Sequence, residues 1–60
     1  MLKTLPQDPF ILVSYINTQL RDRHMSLDEL CEELDINCVE LEAKLRDIGM
    51  RYSALFNRFY

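Results

Sequence analysis

The chain has 60 residues, a net charge of -3 at pH 7 and an apolar fraction of 48%. This length allows a single domain over residues 1–60. The apolar fraction is ordinary for a globular protein and argues against intrinsic disorder. The acidic balance argues against a non-specific binder of polyanions, which needs a positive field.

The apolar run from Phe10 to Val13 is too short to span a membrane, and no secretory signal precedes it. We therefore expect a cytoplasmic protein with no membrane contact. Cys31 and Cys38 lack the spacing of a zinc or redox motif, and His24 is the one histidine. We expect no metal and no cofactor. A chain this short often completes its core with a second copy, so we expect a homodimer.

The first predicted helix begins at Pro9, behind the capping residue Asp8, and ends at Asp22 or Arg23. At 100° per residue its core stripe consists of Leu12, Val13, Ile16 and Leu20. Ile11 and Tyr15 fall on another side. They are either partly exposed, in contact with the tail, or part of an interface for a second chain.

The second predicted helix begins with the S-x-x-E capping box of Ser26 and Glu29 and ends near Leu34. Its apolar face comprises Leu27, Leu30, Cys31 and Leu34. Four carboxylates share the opposite face, which we interpret as solvated because nothing in the pattern would hold one of them protonated.

The third predicted helix follows a turn at Asp35–Asn37 and runs from Cys38 to about Ile48, where Gly49 ends it. Cys38 lies at the helix N-terminus, a position that lowers the pKa of a thiol. A reactive role is conceivable, but no histidine or lysine adjoins Cys38 in sequence. A structural or interface residue is the favoured interpretation.

The last eleven residues are "MRYSALFNRFY". Met50 and Tyr52 alternate with Arg51 as residues of a short strand do. Asn57 tolerates a left-handed turn, so Arg58 to Tyr60 can return as a second strand. We predict a minimal hairpin. A half-turn of helix starting at Ser53 is the alternative.

The central pattern resembles the helix-turn-helix superfamily over residues 26–49, and "IGMRYSALFNRF" resembles a shortened wing. Its apolar positions are Cys31, Ile36, Leu41, Leu45 and Ile48. The predicted fold is thus mainly α: a three-helix, helix-turn-helix-like bundle with a short C-terminal hairpin or extended tail. An unspecialised three-helix bundle would satisfy the same pattern.

In a helix-turn-helix, the third helix would present to DNA the residues Cys38, Val39, Glu40, Glu42 and Ala43. Base edges are read mostly by Arg, Lys, Asn and Gln, and phosphate contacts supply much of the affinity. This face has no side chain of these four types and no cation for a phosphate contact. We therefore predict a non-enzymatic protein-binding or self-associating module. The predicted interface residues are Ile11, Tyr15, Cys38, Val39, Phe56, Phe59 and Tyr60.

The alternative is a dimeric DNA-binding regulator of the winged helix-turn-helix type. Its candidate nucleic-acid contacts are Lys44, Arg46, Arg51 and Arg58. Arg21, Arg23 and His24 could add a second phosphate-binding surface together with the tail arginines. An enzyme is poorly supported, because no nucleophile lies beside a base and no phosphate-binding loop occurs.

The strings "LPQDPFILVSYINTQLRD", "SLDELC" and "IGMRYSALFNRF" cover most of the chain. They resemble a family of short, uncharacterised bacterial proteins, the domain-of-unknown-function family numbered 4250. Met50, where an aromatic is typical, departs from its pattern, as does the lack of an acid after Tyr52. The resemblance implies a compact, mainly helical protein and assigns no activity or functional residue.

Overall fold

The computed structural model describes residues 5–60; residues 1–4, which the single-domain prediction includes, lie outside the described residues. In chain order the elements are α1 (Pro9–Arg23), α2 (Leu27–Leu34), α3 (Cys38–Arg46), β1 (Tyr52–Ser53) and β2 (Arg58–Phe59). The two strands form an antiparallel hairpin. The predicted three-helix fold with a C-terminal hairpin is confirmed.

The predicted start of α1 is confirmed by its cap. The carboxylate of Asp8 accepts a hydrogen bond from the Phe10 amide at 2.8 Å, and Pro9 occupies the first helical position. At this position a backbone N–H has no partner within the helix, so proline, which lacks one, costs no hydrogen bond. The helix ends at Arg23, and the next residue, His24, has a φ of 55° and turns the chain toward α2.

One hydrophobic core lies between the three helices and the hairpin. Its buried members are Leu12, Val13, Ile16, Leu20, Leu27, Leu30, Cys31, Leu34, Leu41, Leu45 and Phe59. The stripes predicted for α1 and α2 are all among them. Of the helix-turn-helix positions, Cys31, Leu41 and Leu45 are buried, whereas Ile36 and Ile48 are half-buried against the core.

The turn between α2 and α3 forms where it was predicted. Asp35 takes the left-handed conformation at φ 57°, which an Asp side chain tolerates. The side chain of Asn37 then caps α3 by accepting from the Glu40 amide at 3.1 Å. The end of α3, predicted at about Ile48, lies two residues earlier. The helix stops at Arg46, and a tight turn over residues 47–49 ends at Gly49, with φ 80°.

The hairpin pairs Tyr52 with Phe59 and Ser53 with Arg58. Four residues connect the strands, and the hydroxyl of Ser53 accepts a hydrogen bond from the Phe56 amide at 3.2 Å. Asn57 closes the loop at φ 54°. The hairpin prediction is therefore confirmed over the half-turn of helix that competed with it.

Candidate protein-binding surface

The side chain of Asn17 attaches the hairpin to α1. The Phe59 amide donates to Asn17 Oδ1 at 2.7 Å, and Asn17 Nδ2 donates to the Phe59 carbonyl at 3.0 Å. Arg51 and Tyr60 exchange main-chain hydrogen bonds across the hairpin. The next pair in an antiparallel ladder is not hydrogen-bonded, so the polar main-chain groups of Phe59 face away from β1, toward α1. Asn17 satisfies both of them.

A second asparagine attaches the loop of the hairpin to the connection between α1 and α2. Asn57 Nδ2 donates to the Met25 carbonyl at 3.0 Å, and Asn57 Oδ1 accepts from the Tyr52 hydroxyl. Two residues further along, at the first residue of α2, the Leu27 carbonyl oxygen lies 3.8 Å from Cys38 Sγ. The hairpin loop and the start of α3 therefore flank one short segment, residues 25–27.

Four of the predicted interface residues are exposed: Ile11, Val39, Phe56 and Tyr60. Tyr15 and Cys38 are half-buried and pack against the core. Two exposed apolar residues, Phe10 and Leu55, were not predicted; Leu55 is 85% exposed at the loop. The exposure of Leu55 could have been predicted from its place beside Phe56 in the predicted turn.

The prediction that Phe59 contributes to an exposed interface is wrong. Its side chain is 1% exposed and belongs to the core. The ring packs against that of Tyr52 with centroids 5.6 Å apart and planes tilted by 55°. Side chains alternate across a strand, so the exposure of Arg58 and of Tyr60 on either side requires Phe59 to point inward.

A basic, apolar surface lies where the hairpin loop meets the C-terminal half of α1. A cleft of about 310 Å³ is lined there by Asn17, Thr18, Arg21, Phe56, Asn57 and Arg58. Exposed Leu55 adjoins Phe56 in the loop. We call Arg21, Leu55, Phe56 and Arg58 the basic tip. It combines two guanidinium groups with two exposed apolar side chains.

An acidic, apolar surface forms around the start of α3. Val39 is 75% exposed, and Glu42 lies one turn further along the same helix face. Asp28 on α2 joins them, because its Oδ1 lies 3.6 Å from Cys38 Sγ. We call Asp28, Val39 and Glu42 the acidic face. Among residues 5–60, neither carboxylate has a cation within ion-pairing distance.

The pKa of the Cys38 thiol is raised, whereas its position at a helix N-terminus predicts a lowered pKa. Burial, a hydrogen bond with the Cys31 thiol and the carboxylate of Asp28 together raise the pKa of Cys38 to about 12. Burial also raises the pKa of Cys31. The expectation of a lowered pKa at Cys38 is wrong, because removal from water and a nearby negative charge outweigh the helix dipole.

The cations predicted for DNA contact are not gathered into one ridge. Arg46 and Arg51 line a cleft of about 330 Å³ beside α3 together with Glu42. Lys44 lies on another side of α3, in a groove of about 620 Å³ that it shares with Glu40. Arg58 belongs to the basic tip.

Within residues 5–60, no group of three histidine, cysteine or carboxylate side chains is arranged to hold a metal ion. No helix of this part of the chain has the length and apolar character needed to cross a membrane.

Together these features define a small, mainly helical three-helix domain with a C-terminal hairpin. The chain belongs to the family described as Domain of unknown function (DUF4250), which it matches over residues 6–59. No curated protein and no solved structure matches the chain.

Proposed function

We propose that this protein acts by binding protein, with a second copy of itself as the first partner. The observation that carries the proposal is the exposure of Val39 on α3, with the carboxylate of Glu42 one turn further along the same helix face. Leu55 and Phe56 form a second exposed apolar pair at the hairpin loop. Exposed apolar groups bordered by charge are typical of surfaces that other polypeptides cover.

The charges around α3 support protein over DNA as the partner. Glu42 lies beside Val39 on the helix that a helix-turn-helix protein would insert into the major groove. A carboxylate there repels phosphates at short range, and counterion release by cations supplies most non-specific affinity for DNA. Lys44 and Arg46 lie on different sides of α3 and would meet few phosphates together.

A binding role also fits the chemistry of the most nucleophilic side chains. The pKa values of the Cys31 and Cys38 thiols are both raised, so little thiolate is present at neutral pH. The carboxylates of α2 are exposed to solvent. We propose a non-enzymatic role in the cytoplasm, where free thiols stay reduced.

Sedimentation equilibrium on the purified protein tests this proposal. We expect a monomer–dimer equilibrium that shifts with protein concentration. A parallel titration of a fluorescent DNA duplex at low salt should show no binding tighter than that of an acidic control protein. A monomer at every concentration would overturn self-association, and tight DNA binding that falls steeply with salt would favour a regulator.

One observation favours the second candidate, a dimeric DNA-binding regulator. Arg46 and Arg51 line the same cleft beside α3, where both guanidinium groups could bind one DNA phosphate. If this candidate is correct, Arg46→Ala and Arg51→Ala should each weaken DNA binding and reduce its salt dependence. Lys44→Ala, on another side of α3, is the matched control.

A further inference from the structure

We infer that self-association is reciprocal, with the basic tip of each copy docked on the acidic face of the other. This inference rests on the proposed function and adds to it the two contact surfaces and their pairing. It follows from three observations: opposite charge, exposed apolar groups on both surfaces, and the position of the surfaces relative to each other.

The two surfaces are complementary in charge. Arg21 and Arg58 line the cleft beside Phe56. Asp28 and Glu42 border Val39 and form no ion pair among residues 5–60, although Arg46 and Arg51 share a cleft with Glu42. Arg21 pairs with Asp22 at 3.1 Å, but both side chains are exposed, so this pair holds the guanidinium only weakly. Opposite potentials of this kind steer two surfaces together and fix their register.

Each surface also presents an apolar group that water would leave on association. Leu55 and Phe56 project from the basic tip, and Val39 stands at the centre of the acidic face. A loop residue that is 85% exposed has room to insert beside Val39 of a second copy. The apolar contact would supply affinity, while the flanking charges would supply orientation.

The position of the two surfaces allows both contacts to form at once. The hairpin loop is hydrogen-bonded to Met25, and the start of α3 lies against Leu27, two residues further along. Both surfaces therefore lie next to residues 25–27. A two-fold axis near residues 25–27 would place each basic tip on the partner's acidic face. Such isologous pairing gives a closed dimer with two equal contacts.

A charge-swap experiment tests the pairing. Variant A carries Arg21→Glu and Arg58→Glu, and variant B carries Asp28→Lys and Glu42→Lys. Each alone places like charges against each other and should raise the dimer dissociation constant at least ~10-fold. An equimolar mixture should form a heterodimer with an affinity near that of the wild type, because each reversed surface then meets an opposite charge.

Matched controls separate pairing from net charge and from misfolding. Lys44→Glu lowers the net charge by two, half the change in variant A, on a side of α3 away from both surfaces, and should leave the dissociation constant within ~3-fold of wild type. Thermal unfolding checks that every variant is folded. If variant B unfolds because Asp28 lies in the first turn of α2, Glu42→Lys paired with Arg58→Glu replaces the doubles.

The outcomes distinguish the inference from the proposed function. Two results would overturn the pairing while wild type still forms a dimer. In one, the mixture of A and B stays monomeric; in the other, A and B each associate as tightly as wild type. Both results leave self-association itself intact. A wild-type monomer at every concentration overturns both. Restoration in the mixture, with neither variant dimeric alone, supports the pairing.

Discussion

The side-chain amide of Asn17 takes the place of a neighbouring strand beside Phe59. It donates to one main-chain group of Phe59 and accepts from the other, as a peptide unit would. A strand edge with free main-chain groups invites pairing with another chain. Asn17 closes this edge at the residue whose side chain fills the core, so the hairpin gains support that its two-residue strands could not provide.

Replacing Asn17 with alanine should therefore destabilise the protein. The change removes two hydrogen bonds and leaves the partly buried amide and carbonyl of Phe59 unpaired, at a cost of about 2–3 kcal/mol. Urea unfolding followed by circular dichroism measures this loss. Thr18→Ala, on the exposed side of the same turn, is the control and should change the free energy of unfolding by less than ~0.5 kcal/mol. Equal effects of the two substitutions would contradict the assigned role.

Two phenylalanines three residues apart should behave in opposite ways. Phe59→Ala opens a cavity in the core and should cost about 3–5 kcal/mol of stability. Phe56→Ala removes an exposed ring and should cost less than ~0.5 kcal/mol, while weakening self-association. Thermal unfolding and sedimentation equilibrium on both variants separate these effects. A strongly destabilised Phe56→Ala variant would show that the loop residue has a structural role.

The capping box at the start of α2 should contribute measurable stability. The hydroxyl of Ser26 accepts from the Glu29 amide at 3.3 Å, and the carboxylate of Glu29 accepts from the Ser26 amide at 2.9 Å. Ser26→Ala should lower the free energy of unfolding by about 1 kcal/mol. Ser14→Ala, at an exposed position within α1, should be neutral or slightly stabilising. Similar losses at both serines would argue against a special role for the cap.

The raised pKa of Cys38 should make stability depend on alkaline pH. In the unfolded chain a thiol loses its proton near pH 8.5, whereas in the folded protein it keeps the proton up to about pH 12. Between these values the folded state binds more protons, so stability falls as pH rises. The free energy of unfolding should decline more steeply above pH 9 for wild type than for Cys38→Ala. Alkylation by iodoacetamide at pH 8 should be slower in the folded protein than in urea, and equal rates would count against the raised pKa.

The helices could be predicted because their causes are local. Capping residues and apolar spacing fixed the start of each helix and the inward faces of α1 and α2 within short windows of sequence. The end of α3 was less predictable, since Ile48 continues the apolar spacing although the chain has already turned. Its side chain reaches the core from the turn, and periodicity cannot distinguish that from a further helical residue.

The errors at Cys38 and Phe59 share a physical origin. The helix dipole at Cys38 follows from sequence, but its burial and its contacts with Cys31 and Asp28 arise only on folding. Asn17 was missed because its partner lies 42 residues away. Arg21 and Arg58 lie far apart in sequence, and folding places both of them along one cleft. The sequence signal for Asn17 was its place next to Ile16 on the core stripe of α1, and that place does not identify its partner.

The bridges from Asn17 and Asn57 have a consequence for how the molecule opens. Short hairpins ordinarily exchange their amide protons quickly because they fray on their own. Here the Phe59 amide is released only when the hairpin separates from α1, and that separation would expose the Phe59 ring to water. Deuterium uptake at Phe59 should therefore keep pace with uptake in the middle of α1, and the helices and hairpin should melt as one cooperative unit.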